Sequence, residues 1–263
     1  MSEASHWHRY PARRALFEPP LRPHADVVAL LRMLVGEDAG PVLLLGVTAA
    51  IAEAFTTVDA FDKSAAMVTK GWPGDTDAKR VTIADWLELD GRERRYAGVV
   101  GDGSLNMLTS EQIGRLLSIV VGLLEPGGRF ACRLFERPDP GFTAADLARS
   151  VSTPGLLNFN AFKWQLAMHL SEGRPTLPVA DIRAAFEARC PDRDALSRAT
   201  GWSREAIDTI DLYDGSSLAY SFPSRAEFRR LLPAGIEGTE FIACGAYDLA
   251  ACCPVLTFRK PLA

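Results

Sequence analysis

The chain has 263 residues, 48% of them hydrophobic and 24% charged, with 29 Lys and Arg against 33 Asp and Glu for a net charge of -4. That length buries a full core in one domain or two, and the charge balance leaves no overall basic footprint for nucleic acid, a local basic groove aside. No apolar run approaches the ~20 residues that cross a bilayer, and the polar start Met1-Ser2-Glu3 lacks the apolar centre of a signal peptide, so a cytoplasmic chain with no membrane partner is expected.

Residues 1–40 read as a helical preface. His6-Trp7-His8-Arg9-Tyr10 leads a segment with apolar positions at Trp7, Tyr10, Leu16 and Phe17, and Pro19-Pro20 ends it. Val27, Val28, Leu30, Leu31 and Leu34 have helical spacing up to Gly36, which predicts a helix packed on a sheet. Pro41-Val42-Leu43-Leu44-Leu45 is a continuous apolar run without alternation, as in a parallel strand buried on both faces, and Gly46 permits the tight turn into a helix at Thr48–Ala54. A second strand, Thr56 to Phe61, delivers Asp62. A carboxylate at the carboxyl end of the neighbouring strand is placed to take both hydroxyls of a ribose.

A short helix from Ala65 runs to the turn residues Gly71-Trp72-Pro73-Gly74, and Val81-Thr82-Ile83 reads as a third strand with Ala84-Asp85-Trp86 behind it. Tyr96–Val100 is the fourth strand. It leads into Gly101-Asp102-Gly103-Ser104-Leu105-Asn106, where two glycines let backbone and the Asp102 carboxylate come close to a ligand; the alternative is an Asp-Gly turn with Ser104 as helix cap. Leu116 to Leu124 is an amphipathic helix closed by Pro126-Gly127-Gly128, and Phe130–Phe135 is the fifth strand.

Leu43–Thr48, Val58–Met67 with its acidic Asp62, and Leu124-Glu125-Pro126-Gly127-Gly128 together resemble the motifs of the class I S-adenosylmethionine-dependent methyltransferases over roughly residues 40–136. The family commonly has G-x-G-x-G after the first strand; this chain has Gly46, Thr48 and Ala50, and β-carbons at 48 and 50 narrow the ligand's approach to the backbone. The resemblance implies a doubly wound, seven-stranded, mainly parallel sheet ending in an antiparallel hairpin, with S-adenosylmethionine as cofactor. It implies a cofactor set of Gly46, Thr48, Asp62, Lys63, Met67, Asp85, Trp86, Asp102, Gly103 and Ser104. In that set Asp85 takes the adenine amino group, and Trp86 or Met67 covers the ring. Asp102 lies near the sulfonium and amino group, as ammonium ligand, substrate guide or base. Trp7 and Tyr10 then either staple the preface to the core or form a flap over the cofactor.

The chain departs from a bare cofactor core (41–136) in residues 137–221. Helical patterns at Ala144–Val151, Phe159–Leu170 and Val179–Ala188 predict a lid over the active edge, and another helix begins after Ser203. Asn106, Asn158, Phe162 and Trp164 are the candidate acceptor contacts, with Asp102 and Tyr10 as catalytic residues and His169 as a weaker base. Asp208, Asp211 and Asp214 read as solvated charges rather than a metal cluster. Cys132, Cys190, Cys244, Cys252 and Cys253 are odd in number and lack C-x-x-C spacing, which indicates buried thiols and no metal. Residues 222–263 return to the sheet through a helix at Arg225–Leu232 and strands at Glu240–Ala246 and Val255–Lys260. One α/β domain with a helical lid is expected, acting on a small molecule by in-line methyl transfer, with a homodimer left open. Two other functions stay open: ring closure of the cofactor with release of methylthioadenosine, and cofactor binding without turnover in a regulatory subunit.

Overall fold

A computed structural model describes residues 15–36, 40–93 and 95–262. Trp7 and Tyr10 lie outside the described residues. The elements run α1 (Ala25–Val35), β1 (Val42–Leu45), α2 (Ala49–Ala54), β2 (Val58–Asp62), α3 (Ala65–Gly71), β3 (Lys79–Ile83), β4 (Tyr96–Asp102), α4 (Ser110–Leu123) and β5 (Leu124–Arg133). The region after β5 holds α5 (Ala144–Ser152), α6 (Phe159–Leu170), β6 (Leu177–Pro178), α7 (Val179–Arg189), α8 (Arg193–Thr200), α9 (Arg204–Ile207) and β7 (Ala219–Tyr220). The chain then forms α10 (Arg225–Arg230), β8 (Glu237–Ile242) and β9 (Val255–Arg259).

Seven strands make one sheet in the order β3-β2-β1-β4-β5-β9-β8. The first five are parallel, and β9 runs antiparallel between β5 and β8. This is the doubly wound sheet with a terminal antiparallel hairpin that the resemblance implies. β1 is buried throughout because its alternate side chains feed two cores. Val42 and Leu44 pack with Val27, Leu31 and Ile51 of α1 and α2, whereas Leu43 and Leu45 pack with Leu116, Leu117 and Val120 of α4 and Phe228 of α10.

The lid has a core of its own. Phe159, Phe162, Trp164, Phe186, Trp202 and Tyr220 form it, and Phe135, Cys252 and Cys253 extend it onto the sheet. Within α6 every residue from Phe159 to Met168 is buried, so this helix is enclosed on all sides instead of presenting one apolar stripe. Its cap is Asn158, whose side chain accepts from the Ala161 amide. Four of the five cysteines are buried and all five are free; burial pushes the Cys132 and Cys253 thiols up to about 12. No helix among the described residues is long and apolar enough to cross a membrane.

Candidate functional site

Register brings the predicted residues together. Leu45 pairs with Phe61 on one side and with Gly101 on the other, so the next residues, Gly46, Asp62 and Asp102, stand level at the carboxyl edge of three adjacent strands. Ile83 pairs with Asp62, which sets Asp85 just beyond, and Asp102 pairs with Arg133. Gly46 has φ 108° and donates its amide to the Phe61 carbonyl at 2.8 Å. That left-handed torsion favours glycine, and a Cβ there would stand 3.9 Å from Asp62 Oδ2 and 4.0 Å from the Trp86 ring. The bare backbone between a carboxylate and an indole is the floor of a cavity.

All ten residues of the expected cofactor set line that cavity. Asp62 Oδ1 accepts the Ser64 amide at 2.8 Å, which orients the carboxylate. The Asp85 side chain accepts the Leu87 amide at 2.9 Å and caps the 3-10 turn Trp86–Glu88, while Trp86 Nε1 donates to the Phe61 carbonyl at 2.6 Å. Thus the indole is fixed to the end of β2 and its ring is held over Gly46. Ser104 donates to the Leu45 carbonyl at 2.7 Å, tying β4's exit to β1. Of the two residues replacing glycines, Thr48 lines the cavity, but Ala50 is exposed and does not, so the expected narrowing falls on position 48 alone.

Asp102 differs from the expected loop carboxylate. It is the last residue of β4, and its Oδ1 lies 2.5 Å from Nε of Arg133, whose side chain is fully buried. Burial disfavours the guanidinium charge, but Asp102 outweighs it, so the arginine's pKa is raised. Arg133 also donates to the Pro20 carbonyl at 2.8 Å. Sequence reasoning passed over Arg133 as one more residue of a strand. The alternation of β5 gives no hint that it faces the level of Asp102; only the β4–β5 register does.

The expected acceptor contacts divide. Trp164 lines the cavity, its ring edge-on to Phe135, Tyr220 and Phe222. The other three do not. Asn106 is fully buried; its amide donates to the carbonyls of Phe135 and Ser221, both at 2.7 Å, and its oxygen accepts the Phe135 amide. Asn158 caps α6 and donates to Pro19 O and Asp248. Phe162 is fully buried against Trp202. These side chains spend their polarity and area on the protein itself, which is the commoner use of buried amides and aromatics. His169 likewise lies outside the lining, with Nδ1 2.6 Å from the Phe142 carbonyl.

The N-terminal segment reaches the site as far as it is described: Phe17, Leu21, Arg22 and Pro23 line the cavity. Asn160 donates to Leu16 O, Asn158 to Pro19 O and Arg133 to Pro20 O, so three side chains hold its backbone in place. The carboxylates after Ile207 are solvent-accessible as expected, with the side chains of Asp208, Asp211 and Asp214 31%, 46% and 55% exposed, and each is also paired with an arginine. Arg193 binds Asp208, Asp211 and Glu187, Arg204 binds Asp194 and Asp208, and Arg183 binds Asp214.

Lys163 was not singled out by the sequence reading. It lines the cavity from α6, is 2% exposed, and burial pushes its ammonium down to about 7. The sequence carried no clear signal, since Asn160, Gln165 and His169 also interrupt the apolar residues of this helix.

No family model matches the chain, and no curated protein matches its sequence. Solved structures do match. The CcbJ methyltransferase from Streptomyces caelestis is similar over 99% of both chains, at 16% identity and a TM-score of 0.57. The chain has the class I methyltransferase fold. The DhpI complex with S-adenosylhomocysteine is similar over 98% of this chain and 95% of that one, at 15% identity and a TM-score of 0.55. A Rhodobacter sphaeroides structure provisionally named a Zn-dependent alcohol dehydrogenase is similar over 98% of both chains, at 14% identity and a TM-score of 0.56. Likeness at this level carries the methyltransferase fold, and the chemistry has to be argued from the site.

One lining contact within this fold is testable at once. Gly103 has φ 65°, and a Cβ there would lie 2.5 Å from Cε2 of Phe135. Gly103→Ala is expected to lose about 1–3 kcal/mol through strain and displacement of that ring, read as a lower urea midpoint. An unchanged midpoint would mean that Phe135 moves aside freely.

Proposed function

We propose that this chain transfers a methyl group from S-adenosylmethionine to a small-molecule nucleophile. The observation that carries the reading is the convergence on one cavity of Gly46, Asp62, Asp85 and Trp86 from the sheet edge with the aromatic wall of the lid. The residues suit the cofactor. Asp62 is held by the Ser64 amide with Oδ2 turned toward Gly46, so it accepts from the two ribose hydroxyls. Asp85 retains acceptor capacity for the adenine amine after capping its turn. Trp86 offers an indole whose N–H is already satisfied and whose ring lines the cavity, which suits stacking on a purine.

When bound, the cofactor supplies an electrophilic methyl on a sulfonium: the acceptor's lone pair forms the new bond to carbon while the carbon–sulfur pair stays on sulfur. The chain's task is to hold the partners in line and keep water out. Phe17 and Leu21 from the N-terminal segment and Trp164, Leu212 and Tyr213 from the lid close the acceptor side. Asp102 is tied to Arg133, so it acts as a fixed anion near the cofactor's ammonium and sulfonium, and proton removal from the acceptor is not assigned to it.

Asp62→Ala is expected to weaken S-adenosylhomocysteine binding by about 1.5–3 kcal/mol, the worth of hydrogen bonds to a charged acceptor. Calorimetric titration measures it, and unaltered affinity would remove Asp62 from the site. Incubation of the protein with S-adenosylmethionine alone, followed by mass spectrometry, separates the chemistries. Methylthioadenosine would replace methyl transfer with ring closure, and cofactor binding without turnover of any acceptor would indicate a regulatory subunit.

A further inference from the structure

We propose that the molecule methylated is a small aromatic carboxylic acid, seated in the lid half of the cavity with its carboxylate on Lys163. This deepens the methyltransferase reading and rests on it. Lys163 sits in an unusual place for a lysine. Its Nζ lies 3.4 Å from the Thr209 hydroxyl and 5.6, 5.6 and 5.3 Å from the ring centres of Phe17, Phe159 and Tyr213. Rings and a hydroxyl stabilise a cation only in part, and among the described residues no carboxylate pairs with it. A buried, unmatched ammonium is a standing cost that a fold avoids unless something else supplies the anion.

The cavity is where that anion has access, because Lys163 forms part of its wall. Trp164, the next residue and also a lining residue, has a buried Nε1 with no hydrogen-bond partner. Two consecutive lining residues of α6 thus carry polar groups without adequate acceptors, the ammonium of Lys163 and the buried indole N–H of Trp164. A carboxylate supplies the counter-charge and the acceptor oxygens that the ammonium lacks. Phe17, Phe135, Tyr213 and Tyr220 also line the cavity and make its lid half aromatic, which suits a flat ring. The other cations in the lining, Arg22 and Lys63, are exposed, so one buried positive charge matches one negative charge.

The test uses the full chain loaded with S-adenosylhomocysteine and two probe pairs: 4-hydroxybenzoate and 4-hydroxycinnamate, each against its methyl ester. Calorimetry should show each acid binding at least about tenfold tighter than its ester, and Lys163→Met should abolish that preference while the ester's affinity stays. Equal affinity for acid and ester, no binding by either acid, or a preference that survives Lys163→Met overturns the proposal. So does turnover of the esters that collapses in Lys163→Met, which would make the lysine a base. Binding of S-adenosylhomocysteine by the parent is measured first. Its absence strikes the methyltransferase reading, whereas its presence without acid preference strikes only the assignment of Lys163.

Discussion

Asp102→Ala is expected to cost about 3–5 kcal/mol of folding stability, because it leaves the fully buried guanidinium of Arg133 without its counter-charge. A carboxylate flanked by Gly101 and Gly103 would be nearly dispensable to the core in a solvated loop, but at the end of β4 it is one half of a buried pair. Urea denaturation of the single variants and of a double Asp102→Leu, Arg133→Met variant checks it. Each single change should lower the midpoint, and the double change should recover most of the loss, since a buried pair replaced together by apolar side chains is often neutral. A single variant with the parental midpoint would show that the pair does not carry the fold. The result also governs how activity is read: lost turnover in Asp102→Ala reports a damaged sheet edge before it reports a missing base. Asp102→Asn, which keeps the shape and an acceptor for Arg133, is the variant for catalytic questions.

Lys163→Met should have the opposite sign. Burial lowers the ammonium from 10.5 to about 7, so between these values the unfolded chain holds a proton that the folded chain has released. Stability of the parent therefore rises with pH from about 7 to 10.5. Below 7 both states are protonated and the cost is constant, and the separation of the two values sets it at about 5 kcal/mol at most. Methionine fills a similar volume without charge. The variant is expected to melt higher than the parent at pH 6 by on the order of 10 °C, with the gap closing as pH approaches 10. A variant less stable than the parent at pH 6 would mean that the amine is better solvated than its surroundings indicate.

Much of the site could be read before any coordinates because it is made of strand ends. An apolar run closed by glycine fixes where β1 stops, and parallel neighbours of similar length must deliver Asp62, Asp85 and Asp102 to the same edge. What could not be read was how each polar side chain spends its hydrogen bonds. Asn106 meets partners 29 and 115 residues away, and Asn158 meets one 90 and another 139 residues away; local pattern cannot distinguish such bolts from ligand contacts. Arg133 and Lys163 were missed for a related reason. Each becomes notable only when burial deprives it of water, and burial is a property of the assembled layers. The two-residue strands β6 and β7 lie below the length at which periodicity is informative.

The position of Asn106 bears on how such a lid could be exchanged. Its side chain grips Phe135 at the entry to the insertion and Ser221 at its exit, and the Ser221 amide and hydroxyl return bonds to Asn106 O and Leu108 O. A graft that cut out residues 137–220 and joined a foreign lid to the same stumps would keep this clasp, provided that the new piece held the two stumps at their present separation. One that cut two residues later would discard Ser221 and leave Asn106 bonded to Phe135 alone on that side. The clasp thus marks the cut sites for exchanging the insertion between proteins of this fold while leaving the sheet untouched.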